Sequence, residues 1–292
     1  MPLIAMTREM GSLGKDVAAR LAERRGGRVV YHEIIDQAAD KMRVRKSHVI
    51  RWLDKGAGLW EQLTADKTSL AIFTADETYR FLRDKEVAVI RGWGAVHLLA
   101  GISHVLRVRV CAPLEVRVDR MMERLGTDDR AAVRREVELA DEAHTAIVRR
   151  HFHVDWRDSE HYDLVLSTER LSVDECVAEI ERVAAMPGFQ ATAESLRAVD
   201  DRALEWALVA AVRRDRRTCD ARVRIESRSG DVRVSDCAED ETASLREVIE
   251  PHEGVRSVDF SCRKAAAQGM MRSNAEWHRD MYMRSLKAST AR

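Results

Sequence analysis

The chain has 292 residues, in which 49 lysines and arginines balance 49 aspartates and glutamates, so its formal net charge is zero. A neutral chain lacks the global basic field of most nucleic-acid-binding proteins, and we expect no nucleic-acid partner. With 45% hydrophobic residues and only four prolines, the composition also argues against a long disordered protein.

The first two thirds of the chain are predicted to alternate between strands and helices. Short apolar or alternating runs predict strands at residues 3–6, 28–31, 87–90, 105–112 and 162–168. Helical patterns follow the first strand, fill most of 33–84 around a KGAG turn at 55–58, and cover 113–125 and 129–150. This alternation is typical of an α/β fold in which helices cover both faces of a parallel sheet.

The last third is predicted to form a second, smaller unit. Ser172 and Glu175 are spaced as a capping box that begins a final helix of the first domain, residues 1–184. A Pro-Gly pair and small polar residues predict a linker at 185–197. Beyond it, residues 198–262 show the order α-β-β-α-β, typical of a small α+β domain. The methionine-rich tail, residues 263–292, is predicted to be a docking helix or a frayed end.

The five cysteines and the termini bear on the compartment of the protein. No two cysteines are spaced as C-x-x-C, which argues against a zinc site or a redox dithiol, and their odd number favours a reducing environment. The first residues show no basic stretch followed by an apolar core, and no apolar run is long enough to span a bilayer. We therefore expect a cytoplasmic protein with no membrane span.

The loop after the first predicted strand is a candidate phosphate site. In the pattern G-x-x-x-x-G-K-[ST], backbone amides surround the phosphates, the lysine reaches them, and the hydroxyl holds magnesium. Aligned on Gly14 and Lys15, this chain has Glu9 in place of the first glycine and Asp16 in place of the hydroxyl residue. We expect Arg8 to offset the charge of Glu9. By itself, the loop is equally compatible with a glycine-rich turn that binds nothing.

Further motifs give the loop a family context. They are TREMGSLGK in the loop, YHEII at 31–35, VIRGWGA at 89–95, LRVRVCAPLEVRVDRMMERLG at 106–126 and HFHVDWRDSEHYDLVLSTERLSVDE at 151–175. In this order they resemble the cytidylate kinase-like family, a branch of the P-loop nucleoside monophosphate kinases. The resemblance covers residues 1–184. Residues 198–262 resemble a BON-type domain in their element order and in the glycine between the two hairpin strands.

The resemblance implies a P-loop kinase-like parallel sheet and a transferase that moves a phosphoryl group from ATP to CMP or a similar acceptor, with Mg²⁺. It implies that the nucleotide is bound by Gly11, Ser12, Leu13, Gly14, Lys15, Asp16 and Asp141, the last on the acceptor side. Asp16 would also be the metal ligand. Catalytic roles are implied for Lys15 and for a lid of arginines comprising Arg117, Arg120 and Arg124.

Spacing alone leaves the arginine lid open to another interpretation. The three arginines are three and four residues apart and share one helical face. They could neutralise charge on a phosphoryl group in transfer. The alternative is a solvated helix face, in which the arginines pair with Glu115, Asp119 and Glu123 of the same helix.

The sequence departs from the family at positions that matter for catalysis. Asp16 is one of these positions. In addition, the family has an arginine after its third strand where this chain has Trp93. It has an aspartate where this chain has His32, and a second arginine where this chain has His144. One arginine finger is worth roughly 10³–10⁵ in rate. We therefore predict a degenerate active site, for which Arg91, Arg149 or Arg150 are the candidates to compensate.

Two other functions remain open from the sequence. The protein could be a nucleotide-sensing or scaffold protein that has lost turnover and is coupled to a partner through its BON-like domain, or the loop could be vestigial. In either case, residues 198–292 are predicted to contact a second copy of the chain or a regulatory protein.

Overall fold

The computed structural model describes residues 2–42, 67–92 and 94–263. The predicted α/β fold is confirmed, because five parallel strands form one sheet. The strands are β1 (Leu3–Arg8), β2 (Arg28–Val30), β3 (Val87–Arg91), β4 (Val105–Cys111) and β5 (Leu164–Ser167). Their order across the sheet is β2-β3-β1-β4-β5, which places β1 between β3 and β4.

Seven helices of the described residues belong to this part of the chain. They are α1 (Gly14–Arg24), α2 (His32–Met42), α3 (Lys67–Leu82), α4 (Ala95–Leu98), α5 (Leu114–Leu125), α6 (Arg130–Phe152) and α7 (Val173–Ala184). The predicted KGAG turn at 55–58 lies outside the described residues. The capping box at the start of α7 is confirmed, since the amide of Glu175 donates to Ser172 Oγ and the amide of Ser172 donates to Glu175 Oε2.

The two faces of the sheet are covered by different helices, as the alternation of buried side chains along β1 requires. Ile4 and Met6 pack with α1 and α7 in one hydrophobic cluster. Leu3 and Ala5 point to the opposite face and pack in a second cluster that includes Tyr79 of α3. Because both faces are covered, the carboxyl edge of the sheet is where a ligand can reach it.

The C-terminal elements occur in the predicted order α-β-β-α-β. They are α8 (Ala193–Arg214), β6 (Arg224–Arg228), β7 (Asp231–Ala238), α9 (Thr242–Ile249) and β8 (Ser257–Arg263). Strands β6 and β7 form the predicted antiparallel hairpin, and β8 pairs with β7 in parallel. The tail beyond residue 263 lies outside the described residues.

Helix α8 joins this second sheet to the first part of the chain. It begins at Ala193, inside the predicted linker, where Ser195 Oγ lies 2.8 Å from Nδ1 of His104. Val199 of α8 belongs to the cluster under the large sheet, and Leu208 belongs to a cluster that includes Phe73 of α3. The two parts therefore share buried apolar surface, and their division into separate domains stays a prediction.

The cysteines differ from the expectation, based on their odd number, of a reducing environment. Cys237 on β7 is disulfide-bonded, whereas Cys111, Cys176 and Cys219 are free thiols. Disulfides are rare in a reducing cytosol, so the cytoplasmic location stays a prediction. Among the helices described here, none combines the length and the apolar character that a membrane span requires.

Candidate functional site

The loop between β1 and α1 has a backbone that only glycine fits at two positions. At Gly11 φ is +78°, and a Cβ there would lie 2.7 Å from the carbonyl oxygen of Arg117. A Cβ on Gly14 would lie 2.5 Å from the Cβ of Arg8. Leu13, between them, is also left-handed with φ 57°. Alternation of left- and right-handed residues turns successive amides toward one side, which is the backbone form of an anion-binding nest.

Several amides of this loop are available to a ligand. The amide of Ser12 donates to Glu9 O, and those of Asp16 and Val17 donate to Leu13 O. In the described parts of the chain, the amides at positions 13, 14 and 15 donate to no carbonyl outside the helix, as expected for the first turn of α1. The helix dipole adds partial positive charge at this point.

Ser12 contributes mainly to the shape of the loop. Its side chain is fully buried, and its hydroxyl lies 2.8 Å from Glu9 O and 3.1 Å from Val110 O. Since both its amide and its hydroxyl bond to protein carbonyls, the predicted contact of Ser12 with phosphate stays a prediction.

Glu9 does not block the loop. Arg109 Nη2 donates to its Oε1 at 2.7 Å, the amide of Ala112 donates to its Oε2 at 3.1 Å, and Arg117 Nε lies 3.5 Å from Oε2. The expectation that Arg8 offsets this charge is therefore wrong. Lys15 is exposed and has no carboxylate partner in the described residues. The ammonium group of Lys15 is thus available to a ligand.

The predicted lid arginines lie in three different environments. Arg117 is buried and donates to both oxygens of Asp141, at 3.2 and 2.9 Å, and also to the carbonyls of Ala112 and Met10. Arg120 donates to the hydroxyl of Thr168 at 2.9 Å and to its carbonyl at 2.7 Å. Arg117 thereby ties the loop to α6, and Arg120 ties α5 to the end of β5.

Arg124 is the exposed member of the three. The alternative, in which acids of the same helix pair with these arginines, is also wrong for two of its acids. Glu115 pairs with Arg130 and Arg134 of α6, and Asp119 pairs with Arg130. Helices α5 and α6 are thus joined by ion pairs across their exposed faces.

Sequence reasoning missed two residues that support the loop. Arg109 was not singled out, although its place at the carboxyl end of β4, beside the end of β1, was a usable signal. Thr168 follows β5 and donates through its hydroxyl to Ser12 O at 2.9 Å, while it accepts from Arg120. Both contacts join segments about 100 or more residues apart.

Arg91, at the end of β3, is buried beside the loop. Its guanidinium lies 4.0 Å from the ring centroid of Tyr31, and its buried Nε has no hydrogen-bond partner among the described residues. Burial, and then the charge of Arg8, lower the pKa of Arg91. Arg149 and Arg150, the other two candidates to compensate, are exposed on α6. The side chains of His32 and Trp93 lie outside the described residues.

His144, at the position where the resemblance implies an arginine, carries no positive charge near pH 7. Its ring stacks on Trp156 with centroids 4.3 Å apart, and burial together with the charge of Arg8 lowers its pKa to about 4. The imidazole is therefore neutral near pH 7. Trp156 is itself fully buried and accepts a hydrogen bond from the Tyr162 hydroxyl at its carbonyl.

Comparison with known proteins gives one family match. Residues 3–170 match the cytidylate kinase-like family. No curated protein shows significant similarity to the chain.

Solved structures resemble the first part of the chain. An uncharacterized protein of Eubacterium ventriosum is 22% identical over 63% of this chain and 98% of its own, with a TM-score of 0.48. Shikimate kinase of Acinetobacter baumannii, solved with shikimate, is 16% identical over 63% and 92%, with a TM-score of 0.37. Shikimate kinase of Bacteroides thetaiotaomicron is 9% identical over 63% and 99%, with a TM-score of 0.40.

Proposed function

The chain belongs to the cytidylate kinase-like family, and on that premise we propose that it transfers the γ-phosphoryl group of ATP to a phosphate oxygen of CMP or a similar nucleoside monophosphate. ADP and the nucleoside diphosphate would be the products. The observation that carries the proposal is the open state of the β1–α1 loop. The loop combines the N-terminus of α1 with amides and a Lys15 side chain that have no partner in the described residues, while Glu9 is neutralised by Arg109 and Arg117.

Each group at the loop suits an oligophosphate. The amides of Leu13, Gly14 and Lys15 would donate to phosphate oxygens, and the Lys15 ammonium would offset their charge. These donors are held in place by the backbone, so little reorganisation is needed when phosphate binds.

Asp16 is the residue that would hold Mg²⁺. It is exposed in the first turn of α1 and has a free carboxylate in the described chain. No described group of three or more His, Cys, Asp or Glu residues is placed to hold a metal. That fits Mg²⁺, which is bound in many phosphoryl-transfer sites by one or two carboxylates and by phosphate oxygens. When bound, Mg²⁺ supplies charge neutralisation to the phosphates.

The arginines of α5 would act after a local rearrangement. Arg124 is exposed, and no partner among the described residues would have to be released. For Arg117 and Asp141 to contact the substrates as the family resemblance implies, their mutual ion pair would first have to be exchanged for substrate contacts. Arg120 would likewise leave Thr168.

The test is nucleotide binding by a loop variant. In the wild-type protein, ATP with Mg²⁺ at about 100 times its Kd should stabilise the fold by ~2.7 kcal/mol in a thermal-shift experiment. Lys15→Ala should remove most of this stabilisation. Lys85→Ala is the matched control, because Lys85 is exposed before β3, at the opposite edge of the sheet. An ATP shift that survives in Lys15→Ala would contradict the proposed loop site.

Turnover is tested separately with a coupled assay that measures ADP production with CMP, dCMP, UMP and AMP as acceptors. The proposal predicts ATP-dependent ADP production with at least one pyrimidine monophosphate, reduced by ~100-fold or more in Lys15→Ala. ATP binding without turnover for any acceptor would contradict it.

Such an outcome would favour the second candidate function, a nucleotide-sensing or scaffold protein. This second function is supported by two observations. Arg117 and Arg120 both donate hydrogen bonds to acceptors within the protein, and His144 is neutral. The active site would then be degenerate, with binding retained and transfer lost.

We also propose that residues 198–262 form a BON-like domain in a cytoplasmic protein. The element order α-β-β-α-β supports it. This domain, with the tail, would bind a second copy of the chain or a regulatory protein. Native mass spectrometry of the full chain tests whether it binds a second copy.

A further inference from the structure

Two arginines lie side by side at the carboxyl edge of the sheet, on the β3 side of the loop. Arg91 ends β3 and is paired in register with Met6 of β1. Residues paired across parallel strands, and residues two apart along one strand, point to the same face of a sheet. Arg8, two residues after Met6, therefore shares its face with Arg91. That face is the one covered by α1.

Within the part of the chain that the structure describes, neither arginine is paired with an acid. Arg91 is only 7% exposed and its Nε is unbonded, and in the described residues neither Arg91 nor Arg8 forms an ion pair. The face of the Tyr31 ring and the more distant charge of Asp16 offset Arg91 only in part. A buried guanidinium without a counter-charge is destabilising, so its retention calls for a ligand that supplies the charge.

The other arginines near the loop differ in this respect. Arg109 and Arg117 are paired with Glu9 and Asp141 on the β4 side of β1, and Arg120 is bonded to Thr168. Each of these three arginines therefore has a partner within the protein, although the buried Nε of Arg109 has no hydrogen-bond partner among the described residues either. Among the arginines at the carboxyl edge of the sheet, Arg8 and Arg91 on the β3 side are therefore the pair for which the described residues provide no ion pair.

We propose that Arg8 and Arg91 form a second anion site, which binds the phosphate group of the acceptor nucleoside monophosphate. The inference rests on the proposed function, because the loop amides and Lys15 are assigned to the donor. Two guanidiniums match a phosphate dianion in charge and in hydrogen-bond geometry. Arg91 lies two residues before position 93, where the family resemblance places an arginine and this chain has Trp93. Arg91 would thus supply that positive charge from inside the strand.

The test compares acceptor and donor binding in Arg91→Met, in which a side chain of similar length lacks the charge. By titration calorimetry, we expect CMP and inorganic phosphate to bind at least tenfold more weakly, and ATP with Mg²⁺ to bind within about threefold of wild type. Arg91→Lys should recover part of the loss. Arg135→Met removes an exposed arginine of α6 to which no role in binding is assigned, and it should leave the affinities for all three ligands unchanged.

Folding of the variant is measured in the same preparation. Because Arg91→Met removes a buried charge with no partner, its melting temperature without ligand should equal or exceed that of wild type. A melting temperature several degrees lower would show that Arg91 is satisfied within the protein and would overturn the inference.

The remaining outcomes separate this inference from the proposed function. Unchanged affinity for CMP and phosphate in Arg91→Met, or no binding of either by wild type, overturns the second anion site. An equal loss of ATP affinity also overturns it, since Arg91 would then belong to the donor. If CMP and phosphate binding depends on Arg91 but wild type neither binds ATP nor forms ADP, the second anion site stands and the proposed function fails.

Discussion

The buried charge of Glu9 in the loop is paired by residues that are distant in the sequence. Glu9 takes the place of a glycine in the phosphate-loop pattern, yet its two oxygens accept hydrogen bonds from Arg109 and from the Ala112 amide. A buried carboxylate is tolerated where such partners compensate its desolvation. The effect of Glu9 is therefore to join the loop to β4, and the positive charge of Lys15 remains available.

His144 predicts a pH dependence of stability. Its pKa is lowered to about 4 in the folded protein from an ordinary value of 6.5, so the unfolded chain binds the proton more readily. The stabilisation from the neutral ring is full above about pH 6.5 and is lost as pH falls toward 4. His144→Phe, which keeps the stacking on Trp156 without a proton site, should reduce the slope of unfolding free energy against pH by up to about 1.4 kcal/mol per unit.

The measurement is urea unfolding between pH 4 and pH 7.5. His153→Phe is the control, because His153 is an exposed residue just beyond α6 and its replacement should leave the slope as in wild type. An identical slope in wild type and His144→Phe would show that other groups dominate this pH range.

At the scale of elements, the loop is built against α5. A Cβ at Gly11 would be 2.7 Å from the backbone oxygen of Arg117, and backbone yields less readily than the end of a side chain. The loop, the start of α5 and, through the Arg117–Asp141 pair, the middle of α6 therefore form one connected support.

Gly11→Ala should disturb this support. It adds a methyl group at a position with positive φ and no space, which we expect to cost about 1–3 kcal/mol of folding free energy and to weaken ATP binding. Gly188→Ala is the control, since nothing lies within 4 Å of its Cβ position. Thermal denaturation of both variants measures the difference, and equal melting temperatures would mean that α5 can move away at little cost.

At the scale of the whole molecule, α8 makes the two sheets depend on one another. Leu208 is fully buried in a cluster that contains Ile35 of α2 and Phe73 of α3, together with Val234 of β7. A substitution in the buried face of α8 is therefore expected to disturb the packing of α2 and α3, the helices that flank the candidate site.

Leu208→Ala tests this dependence. The change should cost about 2–5 kcal/mol and lower the melting temperature of the ATP-stabilised transition, because the cavity opens beneath α2 and α3. Leu196→Ala on the same helix is the control, since Leu196 is 51% exposed. If Leu208→Ala moves only a separate transition that ATP does not affect, the two parts unfold independently and the shared core is energetically unimportant.

Much of the fold was predictable from the sequence because its signals are local. Apolar runs and helical spacing predicted all five parallel strands, and the glycine between two alternating stretches predicted the β6–β7 hairpin. Gly14 and Lys15 marked the loop as a candidate phosphate site, although Glu9 stands where the phosphate-loop pattern has its first glycine. The start of α8 was missed because a Pro-Gly pair and small polar residues look the same in a linker and before a helix.

The sequence by itself therefore determined the order of the elements, the family and the loop on which any phosphate chemistry would depend. Only the tertiary structure decided which charges are used within the protein. It paired Arg109 with Glu9 and Arg117 with Asp141, and it placed Arg91 in a buried position where no acid of residues 2–42, 67–92 or 94–263 pairs with it. The physical reason is that ion pairs form between residues far apart in the chain, so their partners depend on how strands and helices meet. Local sequence patterns do not specify these long-range contacts.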